Sequence, residues 1–212
     1  MRRLPVYLVL DTSGSMNGEP IEALNNGVQT LLSSLRRDPY ALETAYLSVI
    51  TFDSSANQLV PLTELASFQV PLFQATGTTA LGAALSLLSK KIDSEVAKTT
   101  AEIKGDWKPL VFLMTDGMPT DDWKKGLEDL RKVKTGMIVA CAAGPGADTQ
   151  MLKDITEVVV HLDSADSGAI SAFFKWVSAS ISTGSQKVDS AQKEVGGLSD
   201  LPPPPPEINV VL

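Results

Sequence analysis

The chain has 212 residues, 43% hydrophobic and 20% charged, which fits a globular domain with an appended segment and excludes disorder throughout. Its net charge of −7, from 25 acidic and 18 basic residues without a basic cluster, argues against a nucleic-acid partner. The single cysteine, Cys141, rules out an intramolecular disulfide or a thiolate metal cage, so the cytoplasm is the expected compartment.

The opening MRRLPVYLVLD has the two arginines and the apolar stretch of a secretory signal. The stretch runs only from Leu4 to Leu10, is interrupted by Pro5 and lacks a small-residue cleavage site, so it reads as a strand. No later segment approaches the roughly 20 apolar residues of a membrane span, and no membrane association is expected.

After this first strand, Ile21, Leu24, Val28, Leu31 and Leu35 recur at helical spacing and predict a helix from about Pro20 to Arg37. Ala45 to Phe52 predicts a second strand. Gln58 to Leu62 predicts a third, joined through DSSAN by so short a connection that it should run antiparallel at an edge. Leu81, Ala84, Leu85, Leu88 and Ile92 mark a second helix beginning just after Thr79. Leu110 to Thr115 is a buried strand ending at Asp116, and Thr120, Asp121 and Asp122 start a helix with Trp123, Leu127 and Leu130 on one face. Met137 to Ala142 predicts a strand, Met151 to Ile155 a short helix and Val158 to Leu162 a sixth strand. A last helix runs from Ser167 to about Ser182. The alternation of strands and helices identifies an α/β fold with a mostly parallel sheet.

Composition then changes. Residues 1–184 are expected to form the domain and 185–212 a Gly/Ser/Pro-rich tail whose five prolines favour an extended conformer. The terminal INVVL is apolar enough to add a strand, with a frayed end the simpler expectation.

Ligands of parallel sheets collect beyond the carboxyl ends of the strands. Three polar clusters fall there or at adjoining helix starts: Asp11, Ser13 and Ser15; Thr78 and Thr79; and Asp116 with Gly117. All their donors are oxygen, which suits Mg²⁺, with Mn²⁺ or Ca²⁺ as alternatives, and disfavours zinc. Singly, each residue has an ordinary explanation: Asp11 as a cap, the serines as partners of loop amides, Thr79 as an N-cap. Met16, Asn17, Met118 and Pro119 should surround the cluster on exposed loops, as a protein-binding rim or else as cover for loop backbone that fills gaps beneath.

An enzyme finds less support. A strand ending in Asp11 hints at an aspartyl phosphotransferase or phosphatase, but Ser13 stands where haloacid-dehalogenase-type phosphatases carry their second aspartate. The only histidine, His161, sits at a strand end without a nucleophile elbow elsewhere, and no phosphate-binding glycine loop is present. A scaffold with a degenerate metal site is a third reading.

DTSGSM after an apolar strand resembles the D-x-S-x-S motif of von Willebrand factor A domains, GTTALGAAL their G-G-T-x-L-x-x-A-L stretch, and MTDGMPTD their strand-end T-D-G. The resemblance covers residues 4 to about 183. It implies a doubly wound, mostly parallel six-stranded sheet with one antiparallel edge strand and helices on both faces. It also implies a metal-ion-dependent adhesion site (MIDAS) of Asp11, Ser13, Ser15, Thr79 and Asp116, in which a partner's acidic side chain completes the metal shell. Thr78 replaces the family's second glycine, and Thr79 holds the motif's register. RRLPVYLVLDTSGSMNGEPIEALNNG and DPYALETAYLSVITF further resemble the bacterial tellurium-resistance TerY type. That subgroup implies a cytoplasmic, non-catalytic, stress-response role with kinase and phosphatase proteins of the same operon as partners.

Overall fold

A computed structural model describes residues 2–211. A seven-stranded sheet in the order β3-β2-β1-β4-β5-β6-β7 is built from β1 (Leu4–Asp11), β2 (Ala45–Phe52), β3 (Ala56–Glu64), β4 (Leu110–Thr115), β5 (Met137–Ala143), β6 (Val158–Leu162) and β7 (Asn209–Val211). The five inner strands run parallel, and β3 and β7 close the two edges antiparallel. One face carries α1 (Glu19–Leu35), α2 (Pro39–Thr44) and α6 (Ser167–Ser190). The other carries α3 (Leu81–Glu95), α4 (Trp123–Leu130) and α5 (Thr149–Ile155). The fold is the doubly wound α/β class.

Strand β1 is buried on both faces, which is why it reads as an unbroken apolar run. Leu4, Val6, Leu8 and Leu10 enter the core beneath α1 and α6, while Tyr7 and Val9 enter the core beneath α3 and α4. Two glycine contacts set the helix positions. Gly27 of α1 lies under Phe174 of α6, where an added Cβ would come 2.3 Å from the ring. Gly126 of α4 lies on the backbone of α3, where a Cβ would come 2.2 Å from the Gly82 carbonyl oxygen. That second approach brings the residues before α4 against the start of α3.

The expected six strands become seven. The terminal segment is no frayed end: β7 pairs with β6 in the register Val159↔Val211 and His161↔Asn209, covering an edge that would otherwise expose unpaired backbone groups. The last helix continues past its expected end near Ser182 to Ser190, so the boundary placed at 184/185 falls within α6. Polar composition hid this continuation. Gly184 and Ser185 are buried, and Gly184 packs where a Cβ would lie 3.3 to 3.6 Å from Val195, Leu110 and Leu4, so small residues are what the approach requires. Val188, Val195, Leu201 and Ile208 then extend the same core, and Trp176 Nε1 donates to the Pro202 carbonyl at 2.9 Å. Helix α2 was not anticipated. It is a single short turn capped by the Asp38 carboxylate, too brief to show periodicity. Among the described residues no helix is long and apolar enough to cross a membrane.

Candidate metal centre

Asp11 is the last residue of β1, and β1 lies between β2 and β4, so Asp11 and the Thr115–Asp116 end of β4 emerge side by side. The chain after Asp11 folds back at once, because Ser13 N–H donates to Asp11 Oδ1 at 2.8 Å. A short 3-10 turn over Gly14–Met16 follows, and Gly18, at φ 84, then lets the chain enter α1. The turn directs Met16 inward, and Met16 is fully buried rather than part of an exposed rim. Asn17 and Met118 are exposed as expected, and Pro119 is half-buried.

The side chains form one connected cluster. Thr115 Oγ1 donates to Asp11 Oδ2 at 2.6 Å, the Ser13 and Ser15 hydroxyl oxygens lie 3.0 Å apart, and Ser15 Oγ donates to Asp116 Oδ1 at 2.7 Å. Asp11 and Ser13 are buried while Ser15 is exposed, so the cluster runs from the core to the surface. Neither carboxylate meets a cationic side chain among the described residues. Burial pushes the Asp11 carboxyl above the usual carboxylate range, against the opposing hydrogen bonds from Ser13 and Thr115. Asp116 is raised chiefly by burial as well, with the bond from Ser15 opposing and the Asp11 charge adding to the rise.

The two threonines part company. Thr78 is exposed, and its hydroxyl bonds Ser54 at 3.3 Å. Thr79 is 6% exposed, and its hydroxyl has no hydrogen-bond partner among the described residues. A Cβ built on Gly117 would lie 3.8 Å from Thr79 Oγ1 and 4.0 Å from Ser15 Oγ, so the absent side chain leaves open the space between those two hydroxyls. Thr79 does not cap the following helix. That role belongs to Asp121, whose two oxygens accept from the Gly82 and Ala83 amides at 2.8 Å each. Thr120 holds the Thr79 backbone from both sides, its Oγ1 accepting from Thr79 N–H at 3.1 Å and its own N–H donating to the Thr79 carbonyl at 2.8 Å.

Sequence reasoning passed over Thr115 and Thr120 as supporting residues. Both lie within MTDGMPTD, but their roles depend on contacts to β1 and to the α3 start that spacing does not reveal. Two carboxylates and three hydroxyls without sulfur or imidazole suit a small hard cation. No group of three or more His, Cys, Asp or Glu that could hold a metal occurs among the described residues, so the hydroxyls are essential to any shell here. The other reactive groups lie elsewhere: His161 is on β6, separated from β1 by β4 and β5, with Nδ1 3.6 Å from Asp163, and Cys141 is fully buried with its thiol pushed up by desolvation.

The family model of the von Willebrand factor type A domain matches residues 6–175. A curated relative, an uncharacterized protein of Synechocystis sp., is 34% identical over 123 residues, which are 55% of this chain and 26% of the relative. The chain thus spans about a quarter of that relative's length. Among solved structures, the pilus adhesin SpaC of Lactobacillus rhamnosus GG is similar with a TM-score of 0.69 and 16% identity, over 86% of this chain and 31% of the adhesin. A von Willebrand factor type A protein from Catenulispora acidiphila gives 0.65 and 15%, over 86% of this chain and 43% of that one. Proximal thread matrix protein 1 of the mussel byssus, solved with a zinc-occupied MIDAS motif, gives 0.58 and 20%, over 84% of this chain and 45% of that one. At these identities the structures speak for the fold.

Proposed function

The chain belongs to the von Willebrand factor type A domain family, and from that premise we propose that it is a non-catalytic binding module holding Mg²⁺ through Asp11, Ser13, Ser15, Thr79 and Asp116. The observation that carries this reading is the cluster itself: one buried and one half-buried carboxylate, joined through Ser13 and Ser15 and supported only by neutral donors, with the free Thr79 hydroxyl close by. A divalent cation would neutralise the pair, and the surface position of Ser15 and Asp116 would leave one coordination position for a carboxylate from a protein partner. Hydroxyl and carboxylate oxygens favour Mg²⁺, with Mn²⁺ and Ca²⁺ next. A byssal protein of the same fold carries zinc at its MIDAS motif, which makes zinc the cation to set against Mg²⁺.

The resemblance of the first strand and the DPYALET region to TerY-type proteins extends the proposal to a cytoplasmic stress-response complex with kinase and phosphatase partners. Calorimetric titration with MgCl2 tests the metal reading. One ion should bind per chain, and Asp11→Ala should abolish uptake while leaving the circular dichroism unchanged. Uptake that survives the substitution refutes the assignment. Capture of partners from native cells with Mg²⁺ and with chelator tests the second step, since a metal-bridged complex must dissolve on chelation.

A further inference from the structure

The surface around Ser15 and Asp116 has a charge pattern that the metal reading does not itself require. The same carboxyl end of the sheet is formed by loops 12–18, 53–55, 116–122, 144–148 and 163–166 and the returning segment 73–80, which is tied to the first loop by Thr76 N–H to the Thr12 carbonyl at 2.9 Å. Beyond the cluster, these stretches carry Asp53, Asp121, Asp122, Asp148, Asp163 and Asp166, and no lysine or arginine. Glu19 adds a further carboxylate at the start of α1, bonded to Ser167 of α6. The first cations after loop 116–122 are Lys124 and Lys125 on α4. At the amino ends of the strands both signs occur, and cations meet acids there: Arg3 pairs with Asp106 and Lys108 with Glu194.

Helix capping explains part of the rim. Asp122, Asp148 and Asp166 each accept amides in the first turn of α4, α5 and α6. Serine, threonine and asparagine cap comparably without charge, however, and a helix start offsets only about half an elementary charge. Capping also leaves the absence of lysine and arginine from these loops unexplained. Within the rim, Thr79 is 6% exposed, and its hydroxyl, without a hydrogen-bond partner among the described residues, borders the open space above Gly117. Met118, 57% exposed beside Asp116, adds an apolar contact.

We infer that the partner segment recognised here presents its carboxylate between lysine or arginine side chains. The inference rests on the metal-dependent reading above: the ion draws in one carboxylate, while the surrounding aspartates repel further acids and hold cations on either side. Rim charges act over a Debye length of about 8 Å in physiological salt, so residues adjacent to the bound carboxylate feel them and distant ones do not.

Three end-capped peptides, GKGEGKG, GSGEGSG and GKGQGKG, serve as probes. Each is titrated into the full chain with saturating MgCl2, after MgCl2 uptake by the free chain has been measured. GKGEGKG should bind about tenfold more tightly than GSGEGSG, and GKGQGKG at least about tenfold more weakly than GKGEGKG. Raising NaCl to about 0.5 M should erase most of the lysine advantage. So should the combined substitutions Asp53→Asn, Asp122→Asn and Asp166→Asn, which remove charge while keeping the caps. Equal binding of GKGEGKG and GSGEGSG, or no detectable peptide binding, overturns the inference while Mg²⁺ uptake preserves the metal reading. GKGQGKG binding as tightly as GKGEGKG overturns it too, because the carboxylate is then dispensable. Absence of Mg²⁺ uptake by the free chain overturns both.

Discussion

At the amino end of the sheet, Asp106 has a side chain only 6% exposed and is met by Arg3, with Nε at 3.0 Å and Nη2 at 2.5 Å, and by the Ala97 amide at 2.7 Å. At the carboxyl end, Asp11 is more deeply buried, yet its donors are all neutral, the Ser13 amide and the Thr115 hydroxyl foremost. Arg3 and Asp106 complete one another within the chain, and the guanidinium is held above its usual range by that hydrogen bond. Asp11 and Asp116 are raised by desolvation instead and lack a countercharge of their own. A carboxylate buried with its own cation is structural. A buried carboxylate beside a half-buried one, supported by neutral donors, calls for a cation from outside.

Substitutions at the two ends should therefore separate stability from ligation. The largest effect is expected at the carboxyl end. Asp11→Asn should lower Mg²⁺ affinity by more than about 100-fold in calorimetry, since outer partners of metal ligands alone cost roughly 10- to 100-fold. Asp106→Ala should do the reverse. Leaving Arg3 half-buried and unpaired should cost about 2–3 kcal/mol in urea unfolding, with Mg²⁺ affinity unchanged. If Asp106→Ala weakens Mg²⁺ binding as strongly as Asp11→Asn, the two ends are not independent.

Thr115→Val sharpens the comparison within the centre. It removes the hydroxyl that orients Asp11 Oδ2 and should reduce Mg²⁺ affinity by about tenfold. Unchanged affinity would show that Thr115 merely fills space. The smallest effect concerns the tail contact in which Lys187 pairs with Asp200, whose carboxyl is held below its usual range chiefly by that lysine. A lowered folded pKa stabilises fully above the unfolded value of about 4 and less as the pH falls through the folded one. Asp200→Asn should therefore flatten the acid limb of the melting temperature below about pH 4, and Mg²⁺ binding at neutral pH should not change.

Much of the fold was legible because strands buried on both faces leave unmistakable apolar runs, as in LPVYLVLD and LVFLMT. The antiparallel β3 edge followed from a connection too short for a crossover. The remaining elements have weak local signals. Helix α2 is one capped turn, α6 continues through Gly184 and Ser185 because small buried residues resemble a polar linker, and β7 has only three residues. Met16 was placed on the rim because its position next to a motif says nothing about the direction in which a 3-10 turn points it.

The sequence by itself determined the alternation of strand and helix, and it placed oxygen-bearing side chains at the ends of β1 and β4, because backbone periodicity and chain order are local properties. Only the tertiary structure decided that Thr78 turns away to bond Ser54, that Thr115 holds Asp11, and that Asp121 frees Thr79 from capping. Those outcomes depend on the close approach of α4 to α3 at Gly126 and on the pairing of β1 with β4, contacts between segments far apart along the chain.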